Sequence, residues 1–551
     1  MKKLIAEIIK NAVLSLQKEG NLGDFEIPKI EIDYPKEEKF GDYSSNIAMI
    51  LGKKIGKNPM EVANNLREII CHPELDSVSQ EIPDQVRNDI CGFFEKVDVA
   101  APGYINFYLS QKYLQDKVAE INRAENNFGN SEIGRGIKIN NEFISANPTG
   151  PLTVGNGRGG FYGDSLSRIL RKAGYEVANE YYVNDAGEQV MKLGHSVLKD
   201  DEAVYAGEYI DALNEKYKGI SDAQEVGEKA AEDILQNIIQ KTVKEKMQIN
   251  FDNWVSEKKI QSDKYVDRVI DLLKEKKLTY ESEGALWLKT TEFGDDKDRV
   301  LIKSNGQKSY FANDCGYILN KLERNFKVLI IGLGADHHGY VSRLKSAAKA
   351  LGFSGDFSII VSQLVRVVKD GKEVRMSKRA GNVVYIDDLL SEVGHDVARF
   401  FFLLYSPDTH MNFDLGLAKE HSEKNPVFYV QYAYARICSI LRKAQEMGVR
   451  LPSGESNFLE LLTHEKELSL IKEVNKFPEL VEEIAESYAV HKLPQHVIRL
   501  ADKFHSFYNA CQVIEEDNLE MTLARLDLIK SVKIVLEQTL DLIGVEAPEK
   551  M

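Results

Sequence analysis

Two loops in this sequence carry residue types suited to binding a nucleotide triphosphate. The first, SANPTGPLTVGNGRGG (145–160), is rich in small residues whose backbone N–H groups can approach phosphate closely. The second, VRMSKRAGN (374–382), is a short basic loop with a hydroxyl and several cations. Either loop alone is a weak signal, but the pair in this order indicates a triphosphate held from two sides.

A dinucleotide-binding loop is the alternative interpretation of the first segment. Gly155, Gly157 and Gly160 satisfy G-x-G-x-x-G, and Glu180 follows at the spacing of a ribose-binding acid, as in nicotinamide-dependent enzymes. The run PTGPL in front of these glycines makes a longer and stiffer entry than a dinucleotide turn needs. A dehydrogenase also has no use for the second loop, so we favour the triphosphate interpretation.

The elements around the first loop predict a parallel sheet. IKINNEFI (137–144) has the pattern of a strand, a helix follows the loop, and YEVANEYYV (175–183) has the pattern of a second strand. This order predicts a right-handed crossover. KVLIIGLG (327–334) and FSIIVSQLVRVV (357–368) continue the strand pattern, and from about Asp396 onwards the apolar spacing is helical.

The predicted fold class is α/β, with a Rossmann-type parallel-sheet catalytic domain between a small N-terminal α+β domain and a C-terminal α-helical bundle. A chain of 551 residues is too long for one core, and three domains fit it. We place them at 1–115, with a surface insertion at 71–93, at 116–415, with a helical insertion at about 190–280, and at 416–551.

Composition and charge exclude several classes of protein. No apolar run approaches the roughly 18 residues of a membrane span, and the N-terminal MKKLIAEIIKNAVLSLQKEG has the period of an amphipathic helix rather than a signal peptide. The net charge of -15 argues against unspecific polyanion binding, although local basic stretches are compatible with a specific RNA partner. The cysteines lack metal or disulfide spacing, which predicts a cytoplasmic protein.

These motifs resemble those of a known family. PTGPLTVGNGRGG looks like the HIGH signature of class I aminoacyl-tRNA synthetases, and RMSKR looks like their KMSKS loop. Nearly the whole chain apart from the insertion resembles the arginyl-tRNA synthetases, through SANPTGPL, YYVNDAGEQ, GDDKDRVLIKSNGQKSYFANDCGY, GADHHGY, MSKRAGN, NPVFYVQYAYAR and GVEAPEKM. The resemblance implies ATP-dependent attachment of L-arginine to its tRNA through arginyl-adenylate. It also implies Mg²⁺ brought in by ATP, no protein-bound metal, a monomer, and activation that depends on tRNA.

One departure from the family pattern lies in the signature itself. Thr153 and Asn156 replace both histidines of the usual His-x-Gly-His, and tryptophanyl-tRNA synthetases resemble this chain in having a similar Thr-x-Gly-Asn. Neutral donors can still hydrogen-bond to phosphate, but they stabilise charge less than a charged donor does. We therefore expect activity, with a catalytically weakened tRNA-binding paralogue as the alternative.

The resemblance also implies which residues act on ATP. The catalytic residues would be Thr153, Asn156 and Lys378, the last a mobile cation that can follow charge onto pyrophosphate. Adjacent histidines in DHH at 336–338 point apart on a strand end and lack a third ligand, so we predict no metal there. The implied ATP-binding residues are Gly150, Pro151, Gly155, Asn156, Asp336, His337, Arg375, Met376, Ser377 and Lys378.

Arginine recognition requires acceptors for a planar guanidinium that is always charged. The resemblance assigns this task to Asp314, helped by Tyr310, and it assigns the amino and carboxyl ends to Ser145 and Asn147, with Glu142 assisting. Tyr310 and Asp314 are four residues apart and share a face if their stretch is helical. Without the resemblance, a helix cap at Asp314 and a core position for Tyr310 would be the simpler interpretation.

Two regions are predicted to contact arginine-accepting tRNA. In GYINF, one ring would stack on a D-loop base and one amide would read its edge. In VFYVQYAYAR, two helical faces compete for the core and for RNA. The implied contacts are Tyr104 and Asn106 for the D-loop, and Tyr429, Tyr432, Arg436 and Met551 for the anticodon.

Overall fold

A computed structural model describes residues 1–71, 92–374, 384–449 and 458–551. No helix within these ranges is both long and apolar enough to cross a membrane. Strands β1 to β14 of the described ranges are, in chain order, Tyr43–Ser45, Phe94–Ala100, Tyr104–Leu109, Lys138–Glu142, Glu176–Val183, Asn253–Ser256, Thr279–Ser282, Ala285–Leu288, Arg299–Ile302, Val328–Gly334, Asp356–Ser362, Val365–Lys369, Lys372–Glu373 and Met411–Asp414.

The helices outnumber the strands and dominate the second half of the chain. Helices α1 to α20 of the described ranges are, in chain order, Lys2–Lys18, Ile47–Ile55, Pro59–Cys71, Gln111–Ala124, Val154–Lys172, Glu188–Leu198, Glu208–Lys216, Ala223–Ile234, Glu257–Ser262, Tyr265–Glu275, Tyr310–Glu323, Val341–Leu351, Ile386–Val393, His395–Leu403, Leu415–Ala418, Pro426–Glu446, Glu465–Asn475, Phe477–Ser487, Lys492–Ala510 and Leu519–Ile543. Two π-helical turns, Leu235–Ile239 and Thr242–Lys246, follow α8.

The N-terminal part is a small α+β unit, as predicted. Its sheet has the antiparallel order β1-β3-β2, and α1 to α3 precede or flank these strands. The predicted amphipathic helix is α1, which buries Ile5, Ile9, Ala12 and Leu16 on one face. Residues 72–91 of the predicted insertion lie outside the described ranges.

The central sheet confirms the predicted parallel arrangement. Its strand order is β11-β10-β4-β5-β6, and every neighbouring pair is parallel. Helix α5 connects β4 to β5 as the predicted crossover. Because all carboxyl ends meet at one edge of such a sheet, the loops after β4 and β10 converge there, which is where α/β folds bind ligands.

Two strands interrupt stretches that the sequence predicted to be helical. β6 lies inside the predicted insertion at 190–280 and pairs with β5, and β14 lies beyond Asp396 and pairs with β12. Each strand has only four residues, which is too short for a periodic signal. Each segment is extended because it pairs with a neighbouring strand. The predicted single strand at 357–368 is likewise divided into β11 and β12, which belong to different sheets.

Helices α16 to α20 form the predicted C-terminal bundle, and α5 links it to the sheet. The Ser165 hydroxyl donates a hydrogen bond to the Ile543 carbonyl at 3.0 Å, and Arg168 Nη1 donates one to the Asp541 carbonyl at 3.0 Å. The same helix therefore begins at the ligand-binding edge of the sheet and ends against the bundle.

Candidate functional site

Helix α5 begins with a capping box made by the two residues that replace the signature histidines. Thr153 Oγ1 accepts a hydrogen bond from the Asn156 backbone N–H at 3.3 Å, and Asn156 Oδ1 accepts one from the Thr153 backbone N–H at 2.9 Å. The Thr153 hydroxyl also donates to Asn156 Oδ1 at 2.9 Å. The two residues that replace the histidines therefore stabilise the N-terminus of α5.

This capping box decides which groups are available to phosphate. The Thr153 hydroxyl and the Asn156 carbonyl oxygen already bind each other. Among the described residues, none accepts a hydrogen bond from Asn156 Nδ2 or from the Gly155 N–H. The geometry therefore favours these two donors over the Thr153 hydroxyl, which differs from the equal roles we predicted for Thr153 and Asn156.

Three glycines of α5 are required by helix packing rather than by phosphate. A Cβ at Gly157 would lie 2.4 Å from the Ile386 side chain, one at Gly160 would lie 2.7 Å from Met247, and one at Gly163 would lie 2.2 Å from Phe143. A side chain at Gly163 would overlap the base of an aromatic ring, whereas one at Gly157 or Gly160 would force the end of a flexible side chain to shift. The glycine pattern that suggested a dinucleotide loop therefore has a packing explanation in its second and third positions.

A cavity of about 380 Å³ lies between the N-terminus of α5 and the carboxyl ends of β4, β10 and β11. Gly155 and Asn156 form one side, and residues 332–335 and 362–365 form the others. A second cavity of about 470 Å³ shares Thr153, Asn156 and residues 332–334 with it. The two cavities thus adjoin each other, and together they offer helix-end donors beside apolar walls, which suits a nucleotide.

The predicted ATP-binding residues are placed unevenly with respect to these cavities. Gly150 and Pro151 line the larger cavity, Gly155 lines the smaller, and Asn156 lines both. The backbone of Asp336 and His337 forms a 3-10 turn directly after β10. Their side chains, and all of Arg375, Met376, Ser377 and Lys378, lie outside the described residues. Within the described part of the chain, no three His, Cys, Asp or Glu side chains are grouped as metal ligands.

A third cavity, of about 300 Å³, brings together all five predicted arginine-binding residues: Glu142, Ser145, Asn147, Tyr310 and Asp314. Tyr310 and Asp314 lie one turn apart in α11, so the stretch is helical, which was the condition for the two residues to share a face. The N-cap of this helix is Ser309, so Asp314 is not a cap. Tyr310 is 59% exposed and lies at the rim of the cavity rather than in the core.

Glu142 is already paired with a buried cation. Lys321 Nζ lies 2.5 Å from Glu142 Oε2 and 3.5 Å from Glu180 Oε1, and the Lys321 side chain has no exposed area. Arg324 also pairs with Glu180, and the Tyr317 hydroxyl donates to it at 2.6 Å. Two acids and two bases therefore balance in charge, so Glu142 adds little net charge to the cavity.

Glu180 is part of this network and not a ribose ligand. Burial opposes its ionisation, but Lys321 and Arg324 outweigh burial and lower the pKa of Glu180 to about 2. Its side chain has no exposed area. The acid that the dinucleotide interpretation required is thus enclosed in the protein, which removes the remaining support for that interpretation.

Asp314 and Glu257 supply the uncompensated negative charge of the cavity. No described residue donates a hydrogen bond to Asp314, and Glu257 accepts hydrogen bonds from neutral donors, Asn313 Nδ2 at 2.9 Å and Gln261 Nε2 at 3.2 Å. Burial, together with the charge of Glu257, raises the pKa of Asp314 to about 7, against a smaller opposing effect of Arg343. Burial also raises the pKa of Glu257. Such a site is suited to a cation with several donors.

The sequence reasoning missed Glu257. This residue opens α9 immediately after β6, behind the N-cap Ser256. The available signal was the pair Ser256-Glu257 at the end of a strand, but β6 itself was taken for helix. Since the carboxyl edge of β6 adjoins that of β5, an acid at this position reaches the same cavity as Asp314.

The chain after β4 is strained where the cavities meet. Ile144 and Ser145 have φ angles of 66° and 42°, and a positive φ is an outlier for a β-branched residue. Two hydrogen bonds of Ser145 Oγ stabilise the turn: it accepts from the Tyr182 N–H at 3.0 Å and donates to Glu142 Oε1 at 3.2 Å. The turn lets Asn147 line two cavities. One is the third cavity, which contains Asp314 and Glu257 and which we call the acidic cavity; the other is the larger of the two cavities at the N-terminus of α5, the larger nucleotide-side cavity.

The N-terminal unit presents one of its two predicted RNA contacts. Tyr104 is 40% exposed at the start of β3. Asn106 is 2% exposed, and its Oδ1 accepts a hydrogen bond from the buried Ser44 hydroxyl at 2.7 Å. Asn106 shares a face of β3 with Tyr104, but Ser44 of β1 lies directly opposite it and encloses its side chain, so the base-reading role of Asn106 stays a prediction.

The predicted anticodon residues form an aromatic and cationic surface between α16 and α19. The Arg436 guanidinium lies 5.0 Å from the ring centre of Tyr432 and 4.7 Å from that of Tyr508. The ring of Tyr429 lies 4.8 Å from that of His505. Tyr508 and His505 were not predicted. Met551 is 55% exposed, and the Glu546 carbonyl, in the same tail, accepts a hydrogen bond from Gln431 of α16 at 3.0 Å.

Comparisons with known proteins agree with this arrangement along the whole chain. Residues 1–109 match the arginyl tRNA synthetase N terminal domain, residues 118–400 the class I (R) catalytic domain, and residues 430–551 the DALR anticodon binding domain. The exact domain boundaries that we predicted stay predictions. The arginine--tRNA ligase of Bacillus subtilis (strain 168) is 41% identical over 572 residues, covering 100% of this chain and 99% of that protein.

A second relative and a solved structure extend the match. Arginine--tRNA ligase 1 of Halalkalibacterium halodurans is 39% identical over 577 residues, covering 100% of both chains. The arginyl-tRNA synthetase of Thermus thermophilus shares the fold, with a TM-score of 0.75, 21% identity and 100% of both chains covered. Nothing in these comparisons supports the alternative of a weakened tRNA-binding paralogue. The chain belongs to the arginyl-tRNA synthetase family of class I aminoacyl-tRNA synthetases.

Proposed function

We propose that this protein, an arginine--tRNA ligase by its family, binds arginine in the acidic cavity. ATP would bind in the two adjoining cavities at the N-terminus of α5. The observation that carries the proposal is the pair Asp314 and Glu257, which share one cavity without a hydrogen-bonded cation among the described residues. A guanidinium offers a planar set of donors and a permanent charge, which match two carboxylates.

The position of Asn147 and Ser145 supports the direction in which arginine lies. Both residues line the acidic cavity and the larger nucleotide-side cavity. With the guanidinium at Asp314, the amino and carboxyl ends of arginine point to this junction. The carboxylate then faces the α-phosphate of ATP, whose phosphates are favoured by the N-terminus of α5.

The reaction needs no protein nucleophile. The arginine carboxylate attacks the α-phosphate, the bond to the β-phosphate breaks, and arginyl-adenylate and pyrophosphate form; the terminal ribose of tRNA then attacks the adenylate carbonyl and releases AMP. Asn156 Nδ2, the Gly155 N–H and, by the family resemblance, Lys378 would stabilise the charge that moves to pyrophosphate. Mg²⁺ would arrive with ATP as part of the substrate.

We propose that tRNA contacts both ends of the protein. Tyr104 would meet the D-loop, and Tyr429, Tyr432 and Arg436 would meet the anticodon, with Tyr508 and His505 completing that surface. Support comes from the exposed ring of Tyr104 and from the stacked rings around Arg436, because unpaired bases stack on aromatic and guanidinium planes. A cytoplasmic monomer is the state that the family resemblance implies.

Arginine-dependent exchange of pyrophosphate into ATP, with and without arginine-accepting tRNA, tests the function. We expect exchange with arginine when tRNA is present and none above background with lysine, because a single ammonium leaves acceptor positions of the two carboxylates without a donor. A Thr153→His/Asn156→His variant measured in parallel separates the alternatives. Exchange in the variant alone would identify a silenced paralogue, and absence in both proteins would contradict the ligase.

The KM for arginine should depend on pH in one direction. Asp314 has a pKa of about 7 in the free site, raised by burial and by Glu257, so it is protonated below that pH. The guanidinium stays charged and needs the carboxylate. We therefore expect the KM to fall about tenfold per pH unit as the pH rises towards 7, and to level off above it. Exchange measured from about pH 5.5 to 8.5 checks this, and a constant KM would contradict it.

A further inference from the structure

Arg158, on α5, is a buried cation that lies behind the wall of the smaller nucleotide cavity. Its side chain is 2% exposed. Nη1 donates to the Gln363 carbonyl at 3.0 Å, and Nη2 donates to the Ser406 carbonyl at 2.7 Å. No described carboxylate accepts a hydrogen bond from it. Burial lowers its pKa to about 10, so the group remains charged at neutral pH. A charge in such a place requires strong acceptors, which these two carbonyls provide.

The two carbonyls belong to segments that support each other at the cavity. Residues 363–365 line the cavity where β11 ends and β12 begins. The Gln363 N–H donates to the Pro407 carbonyl at 2.8 Å, so this irregular stretch is already tied to residues 406–407. Arg158 binds one carbonyl of each segment and thereby fastens both to α5.

The part of the cavity formed by residues 363–365 suits the nucleoside of ATP. At the opposite side, the Gly155 N–H and Asn156 Nδ2 mark the end that favours phosphate. Residues 363–365 and Gly332 instead present backbone groups and apolar surface, as sites for flat heterocycles do. The shape of this wall depends on residues 363–364, which lie between β11 and β12, and hence on the hydrogen bonds that hold them.

We propose that Arg158 is a positioning residue that holds residues 363–365 in the shape that receives the nucleoside of ATP. The inference rests on the proposed function. It requires arginine rather than lysine, because one planar guanidinium reaches carbonyls of two segments at once, whereas an ammonium on a flexible stem does not reproduce that fork. Losing either bond leaves a partly buried carbonyl without its donor and releases the wall.

Exchange kinetics of Arg158→Lys, with tRNA present, test the inference. We expect the KM for ATP to rise about tenfold, while the KM for arginine stays within about twofold. The inhibition constant of AMP should rise to a similar extent, and that of pyrophosphate should not. Arg525→Lys is the matched control: Arg525 is 8% exposed on α20, far from the cavity, and donates to Glu467 and to the Gln512 carbonyl. It should keep the wild-type KM for ATP.

The outcomes separate a positioning role from a merely structural one. A variant with lower thermal stability but wild-type KM for ATP and wild-type inhibition by AMP overturns the inference, as does an equal rise of both KM values. Arg158→Gln, which keeps one donor and no charge, serves if the lysine variant does not fold, and the same expectations apply to it. If the wild-type protein itself shows no arginine-dependent exchange, the proposed function fails first.

Discussion

Asp314→Asn is expected to lower kcat/KM for arginine about 10³-fold and to leave the KM for ATP within about twofold. Asparagine keeps the shape of the side chain, but an amide NH2 group replaces one carboxylate oxygen. That group is a donor and cannot accept a hydrogen bond from the guanidinium. The charge of arginine is then met by Glu257 alone, which already binds the neutral donors Asn313 and Gln261. Pyrophosphate exchange at varied arginine and fixed ATP, with tRNA present, gives the measurement.

A matched substitution on the protein surface controls for the loss of one carboxylate. Asp267 on α10 is partly exposed and pairs with Lys308 at 2.6 Å. Because exposed pairs contribute little, Asp267→Asn should keep wild-type kinetics. Wild-type kcat/KM in Asp314→Asn would place the guanidinium elsewhere and contradict the proposed site. A rise in the KM for ATP as large as that for arginine would point to a disrupted fold instead.

Lys321→Met is expected to lower the free energy of unfolding of the catalytic sheet by about 3–5 kcal/mol. Methionine fills a similar volume, but it leaves Glu142 buried with only the Ser145 hydroxyl as its donor. Glu180 retains Arg324 and the Tyr317 hydroxyl. Urea unfolding followed by amide exchange in β4 and α11 reports the loss where it occurs.

A second substitution tests whether the orphaned charge is the cause. In Lys321→Met/Glu142→Gln, no buried carboxylate lacks a cation, so we expect most of the lost stability to return. Two destabilisations that simply add would show that the Glu142–Lys321 pair is not coupled. Arginine binding should remain weakened in the double variant, because residue 142 lines the acidic cavity.

Much of the fold could be predicted because its signals are local. The apolar face of α1, the strands β4, β5 and β10, and the glycine-rich entry to α5 are each encoded within a short window. Period and turn chemistry are properties of neighbouring residues, so they can be read without the fold. The resemblance to a family added the five residues that meet in the acidic cavity, which come from β4, the loop after it and α11.

Tertiary pairing decided what local patterns could not. β6 and β14 have four residues each and are formed by neighbouring strands, which is why Glu257, at the end of β6, was missed. Asn106 shares a strand face with the exposed Tyr104, yet it is enclosed because Ser44 of another strand lies opposite it. The motif identified Thr153 and Asn156 as the altered signature, but their mutual capping box depends on where α5 begins.

By itself, the sequence determined the fold class, the order of elements and the family, since these depend on periodicity and on motifs of contiguous residues. Only the tertiary structure decided how charge is distributed in the site. Lys321 neutralises Glu142 across 179 positions of the chain, and Glu180 is enclosed with Arg324, which leaves Asp314 and Glu257 as the acids of this cavity without a hydrogen-bonded cation in the described ranges. The physical reason is that electrostatic pairing falls off with distance in space and not in sequence, and burial, which packing alone sets, fixes how strongly each charge acts.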